Sequence, residues 1–97
     1  MKKRMVSVIV HNQNGILTRL MGLFTKHHYQ IESLAAAVYT EAKEFSKISV
    51  VTEAEDDHKF LQLVKQIDKQ IDVISVEDIT DQYVIARELS SIKKVLI

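Results

Sequence analysis

The sequence has no cysteine, no proline and no tryptophan, and only two glycines among its 97 residues. Without cysteine there is no disulfide framework, no thiolate zinc site and no thiol redox motif. Without proline, and with so little glycine, no linker composition divides the chain, and its length suits a single domain. An excess of one charge is missing as well. Thirteen Lys and Arg residues balance thirteen Asp and Glu, so no bulk field draws the protein to nucleic acid or to an anionic membrane. No apolar run approaches the roughly 18 residues of a membrane span. The Lys2-Lys3-Arg4 start resembles the basic end of a secretory signal, but His11, Asn12, Gln13 and Asn14 interrupt the apolar stretch too early for one. What is present, 46% hydrophobic and 27% charged residues, is the composition of an ordinary globular domain, expected to be soluble and cytoplasmic. A chain of this size buries roughly 60–65% of its unfolded surface, which allows one core but no large internal active site.

The pattern along the chain alternates strand and helix. Residues 4–11 are apolar and β-branched and end in the turn-formers Asn12, Gln13, Asn14 and Gly15, which predicts a buried strand. Ile16, Leu17, Leu20, Met21, Leu23 and Phe24 then follow the stripe of an amphipathic helix. Asn14, or Asn12 through a short loop, is a candidate N-cap. Gly22 interrupts this helix, as a glycine does where another backbone approaches closely. Lys26, His27 and His28 suit the negative end of the helix dipole. Residues 30–39 predict a second strand, weakened by Ala35, Ala36 and Ala37, and residues 45–52 a third. The short charged link Glu41-Ala42-Lys43-Glu44 makes these two an antiparallel hairpin. Phe60, Leu61, Leu63, Val64, Ile67 and Ile71 predict a second amphipathic helix, with acid at its start and Lys65 and Lys69 near its end. Residues 72–79 read as a fourth strand. The order is βαββαβ, an α+β, ferredoxin-like plan: a four-stranded antiparallel sheet with two helices on one face. Residues 1–79 form this domain and residues 80–97 a C-terminal tail compatible with helix or strand.

One helical layer leaves the other sheet face without a cover. In the second strand neither Leu34, Ala36 and Val38 nor Ser33, Ala35, Ala37 and Tyr39 carry charge. Uncharged residues on both sides of a strand predict cover on both sides, and an open edge favours a partner. A homodimer supplies both, a dedicated larger partner would do so too, and the two are compatible.

No catalytic constellation stands out. His11, His27, His28 and His58 are scattered, and the acidic run Glu53, Glu55, Asp56 and Asp57 lacks a glycine-centred calcium loop. There is no phosphate-binding glycine loop, and no metal site is expected. The informative segment is the junction of the first strand and first helix, Asn12, Gln13, Asn14, Gly15, Ile16 and Leu17. Amides at a helix N-terminus lack intrahelical partners and suit a carboxylate, and a glycine lets a ligand reach the backbone. A capped, glycine-assisted turn without a ligand fits the same residues.

Asn12, Gly15, Leu17, Arg19, Gly22, Leu23, Phe24, Tyr29, Ile31, Glu32, Ser33 and Leu34 fall in register with a pattern of Asn-x-x-Gly-x-Leu-x-Arg, Gly-Leu-Phe and Tyr-Asn-Ile-Glu-Ser-Leu. This resembles the ACT domain of the small subunit of acetolactate synthase, over roughly residues 4–79. The stretch from Gln66 to Val73 is similar to a further part of that family. The resemblance implies a non-catalytic regulatory subunit that dimerises through ACT domains and binds the catalytic subunit. It implies feedback inhibition by valine or a related branched-chain amino acid, bound between two ACT domains. The matching effector positions are Asn12, Gly15, Gln30 and Ala37. Thiamine diphosphate, Mg²⁺ and FAD belong, by the same resemblance, to the catalytic partner, with no cofactor in this chain. The chain departs from the pattern at Gln30, where the family has Asn, and at His28, where it has Gly. A glycine there would suit a helix end with positive φ. The family's small subunit continues into a second domain, and Arg87-Glu88 with the apolar residues after it resembles that domain's first strand. The chain is therefore expected to be a short form.

The alternative is a stand-alone ACT module that senses a metabolite without the synthase. RNA binding on this fold would need stacking aromatics on the central strands, and the first strand has none. An acylphosphatase-type hydrolase would need a phosphate-binding Arg in the loop at residues 12–14, which has none.

Overall fold

The computed structural model describes residues 3–13 and 15–81. Its order is β1 (Lys3–His11), α1 (Ile16–Lys26), β2 (Ile31–Val38), β3 (Phe45–Glu53), α2 (Asp57–Asp68) and β4 (Val73–Asp78). This is the expected βαββαβ plan. The expected Asn14 cap and the tail beyond Asp81 lie outside the described residues.

The strands form one sheet in the order β2-β3-β1-β4, with every neighbouring pair antiparallel. The central pair runs in unbroken register from Lys3 opposite Glu53 to His11 opposite Phe45. Because strand side chains alternate, this register puts Val6, Val8 and Val10 of β1 on one face with Ile48 and Val50 of β3. These five join Leu20 and Phe24 of α1 and Phe60, Leu63 and Ile67 of α2 in a single core. Each such side chain contributes on the order of 1.5–3 kcal/mol by burial. The outer pairings are less regular, with register shifts between Ile31 and Ser33 and between Ile9 and Val10. The sequence-based expectation placed Ile71 on the second helix. The helix instead ends at Asp68, and Ile71 stands in the following turn, 90% exposed. Its spacing from Ile67 mimics one more turn, but Ile71 has no sheet beneath it.

Charged side chains fasten α2 to the sheet. Arg4, on the helix-facing side of β1, lies 5.2 Å over the Phe60 ring and pairs with Asp57. Its Nε donates to the Ala54 carbonyl at 3.4 Å. Tyr29 meets Phe60 edge-on, ring centroids 6.0 Å apart. Burial raises the Tyr29 phenol above its ordinary pKa, helped by the Asp56 charge and opposed by Arg4. Asp56 is the N-cap of α2, its carboxylate accepting from the His58 and Lys59 amides at 2.9 and 3.2 Å.

The end of α1 follows a Schellman pattern. Tyr29 N–H donates to the Phe24 carbonyl at 2.8 Å and His28 N–H to Thr25 at 3.0 Å. The loop between them requires a left-handed residue, and His28 supplies it with φ 64. This is where the family pattern has glycine.

Two outcomes follow. His28→Gly raises stability by about 1 kcal/mol and the Tm by roughly 4–8 °C, read by thermal denaturation. For Asp56 the Lys59 amide hydrogen bond holds the carboxyl below its ordinary value of 3.8. The unfolded state therefore binds the proton more tightly. The cap's contribution is complete above that ordinary value and is lost as pH falls through the lowered one. Asp56→Asn, which keeps an acceptor without the charge, flattens the acid limb of Tm against pH below that ordinary value.

Candidate functional site

The chain leaves β1 at His11 and enters α1 through a tight connection. Gln13 N–H donates to the His11 carbonyl at 2.8 Å, and Ile16 N–H to Gln13 at 3.2 Å. Gly15 is the N-cap residue, left-handed at φ 85 and ψ 0, and no side chain caps the helix among the described residues. Its carbonyl takes the first helical bond, from Arg19 N–H at 2.9 Å. A Cβ on Gly15 would meet nothing within 4 Å, so the glycine is required by its backbone angle and leaves open space in front of the helix. Gln13 and Leu17 are exposed at this rim, whereas Ile16 is buried in the core.

Asn12 does not cap α1. Its Nδ2 donates to the Lys43 carbonyl at 2.7 Å and lies 3.5 Å from that of Phe45. Its Oδ1 accepts from the Ser46 hydroxyl, and its backbone N–H donates to the Glu44 carbonyl at 2.7 Å. The expected cap is replaced by a tie to the β2–β3 connection. The register makes this possible: His11 opposes Phe45, so the residue after β1 falls beside the start of β3. Ser46 was not a candidate from sequence, since only the pairing of strands 34 residues apart brings it to Asn12.

Ala37 belongs to the same end of the sheet. It pairs with Lys47, and its neighbour Val38 pairs with Ser46. Gln30 does not. It precedes β2, and its carbonyl accepts from the buried Thr52 hydroxyl at 2.5 Å, near the opposite end of β3. Six steps along the strand separate Ser46 from Thr52, about 20 Å at roughly 3.3 Å per residue. Within one chain the structure therefore gathers Asn12, Gln13, Gly15, Leu17 and Ala37 and leaves Gln30 on the far side.

A surface runs beside this group. β2 is an edge strand, and Ala35, Ala36, Ala37 and Val38 are all exposed. Leu17 and Met21 of α1 and Val38 and Tyr39 at the end of β2 are among the exposed large hydrophobics. The expectation that Gly22 admits a close backbone neighbour is not met among the described residues, where a Cβ on it would meet nothing within 4 Å. Among the described residues, no group of three or more His, Asp or Glu is placed to hold a metal, and no helix is long and apolar enough to cross a membrane.

The two glycines should answer differently to Ala. Gly15→Ala lowers stability by about 1 kcal/mol, the cost of a side chain in the left-handed region. Gly22→Ala raises it by about 1 kcal/mol through helix propensity. Chemical denaturation of both variants at one protein concentration checks the pair.

Comparison with known proteins matches these features. The family described as the AHAS small subunit-like ACT domain matches residues 6–75. The chain is 46% identical over 93 residues to the acetolactate synthase small subunit of Bacillus subtilis, covering 96% of this chain and 54% of that protein. It is 38% identical over 91 residues to the probable acetolactate synthase small subunit of Archaeoglobus fulgidus, covering 94% and 55%. The chain thus spans about half the length of these curated relatives. Among solved structures, the acetolactate synthase small subunit of Thermotoga maritima superposes with a TM-score of 0.69 at 26% identity, over 80% of this chain and 47% of that one. The ACT domain of a Chlorobium tepidum GTP pyrophosphokinase gives 0.68 at 16% identity, over 80% and 97%, and shares the fold. With its βαββαβ sheet and its glycine turn before α1, the chain belongs to the family of acetolactate synthase small subunit-like ACT domains.

Proposed function

We propose that this chain is a non-catalytic regulatory subunit that binds a branched-chain amino acid between two copies of itself. In this reading it works in the cytoplasm and modulates the catalytic subunit of acetolactate synthase. The observation that carries the proposal is the separation of Asn12, Gly15 and Ala37 from Gln30 within one chain. A site that needs all four is incomplete in a single protomer. Among the described residues β2 is an uncovered edge with one charged residue, Glu32, in its eight, so it suits antiparallel pairing with its own copy. A two-fold axis near the middle of β2 would carry Gln30 of the partner subunit to the Ala37 end. There it would face the turn at Asn12, Gln13 and Gly15. The same pairing would bury Val38 and Tyr39 and bring together the exposed Leu17 and Met21. The effector's carboxylate would lie against the amides at the start of α1, with Gly15 admitting it to the backbone.

The test is calorimetric titration with valine, leucine and isoleucine. At least one should bind the dimer, and heat equal to buffer for all three removes the effector reading. Gly15→Asp should abolish binding, because its carboxylate fills the open space and repels the ligand's own. Mixing Gly15→Asp with Gln30→Ala protomers should restore one intact site per mixed dimer. A site contained in one chain would regain none. Co-purification with the catalytic subunit from the same source tests the partner. Effector heat without association would leave a stand-alone sensing module.

A further inference from the structure

Asn12, although exposed, is tied by its side chain and its backbone N–H to the β2–β3 connection and to Ser46 of β3. The Ser46 hydroxyl can donate to the amide only at Oδ1, and a backbone carbonyl such as that of Lys43 can only accept. These two partners fix which way the amide points. The orientation leaves Oδ1 and the Nδ2 proton aimed at Lys43 engaged within the chain. The backbone N–H is engaged as well, with Glu44. Ser46 is itself 6% exposed, so water competes poorly for its hydroxyl, and a buried hydrogen bond of this kind is costly to lose. The connection that Asn12 holds closes on itself, with Phe45 N–H on the Ala42 carbonyl at 2.9 Å and Tyr39 N–H on Phe45 at 3.2 Å. It is also the connection from which β2, the exposed edge, departs.

We infer that Ser46 is a positioning residue for the effector turn, acting through Asn12. Together they form a clamp that sets the Gly15 turn at a fixed place relative to the edge strand β2. The inference rests on the effector reading proposed above and adds a residue to it. Asn12 contributes to binding through the placement of the Gly15 and Leu17 amides, while the Ile16 N–H stays on the Gln13 carbonyl. A ligand held between those amides and a partner across β2 feels any slack in the clamp as a change in the gap it must span. The clamp also demands an amide at Asn12. A carboxylate in its place would set an oxygen against the Lys43 carbonyl, so an isosteric Asp breaks what Asn makes.

The experiment uses the whole chain with Ser46→Ala, Ser46→Thr and Asn12→Asp, read in two ways. The first is valine affinity by calorimetry, with the dimer followed by light scattering. Ser46→Ala should weaken binding about threefold to tenfold, the factor expected for one hydrogen bond. Ser46→Thr, which keeps the hydroxyl, should restore it, and Asn12→Asp should weaken it at least as much, all with the dimer intact. The second is amide hydrogen exchange by NMR. Ser46→Ala and Asn12→Asp should speed exchange at Asn12, Gln13, Ile16, Tyr39 and Phe45, whose N–H groups are hydrogen-bonded in the turn and the connection, while leaving Val6, Val8 and Val50 unchanged. Unchanged valine affinity in Ser46→Ala overturns the inference. If the wild-type chain binds none of the branched-chain amino acids, the effector reading fails and exchange alone decides. Faster exchange confined to the turn and the connection then upholds the clamp, and unchanged exchange there overturns it.

Discussion

Among the described residues, two helices cover one face of the four-stranded sheet, and that constraint organises the molecule. On the covered face the side chains of β1 and β3 are sealed: Val6, Val8, Val10, Ile48 and Val50 all lie beneath α1 and α2. The opposite face holds small or moderate residues in the same strands, such as Ser7, Ile9, Ser49 and Val51. The two outer strands are bordered on one side only. β2 has the weaker local signal, with three alanines, and it is one of the two edge strands among the described residues. Stability is thus concentrated in β1, β3 and the inner faces of the helices, and what lies at the edge is available for interaction.

Much of this plan was legible in the sequence because it rests on local periodicity. The alternation of Val6, Val8 and Val10 and the helical stripe of Leu20, Leu23 and Phe24 each identify an element from its own residues. The acidic start of α2 predicted a helix N-terminus, and Asp56 is its cap. The glycine expected by the family pattern before Tyr29 pointed to a left-handed residue, and His28 adopts that conformation. The same period misled at Ile71. A hydrophobic residue in helical spacing does not know where the sheet beneath it ends.

The site was legible in part, and its gaps have one cause. Gly15 could be singled out locally, since a strand–turn–helix junction with a glycine needs no other chain segment to explain it. Asn12 could not be assigned correctly. A cap requires only neighbours in sequence, whereas the tie to Lys43 and Ser46 depends on β3 returning beside β1. The distance between Gln30 and the other candidates was hidden for the same reason. All lie within 26 positions in sequence, yet β2 runs from one end of the sheet to the other, so sequence neighbours become opposite poles.

That polarity has a thermodynamic consequence. A ligand that must touch both ends of β2 can do so only where two chains meet, so its binding is linked to their association. Ligand and self-association then strengthen each other by the same factor. Dilution of the protein lowers the apparent affinity even though no contact has changed. A sensor built this way reports the product of two concentrations, that of the small molecule and that of its own subunit. In the proposed reading, the set point of such a sensor moves with the concentration of its own subunit.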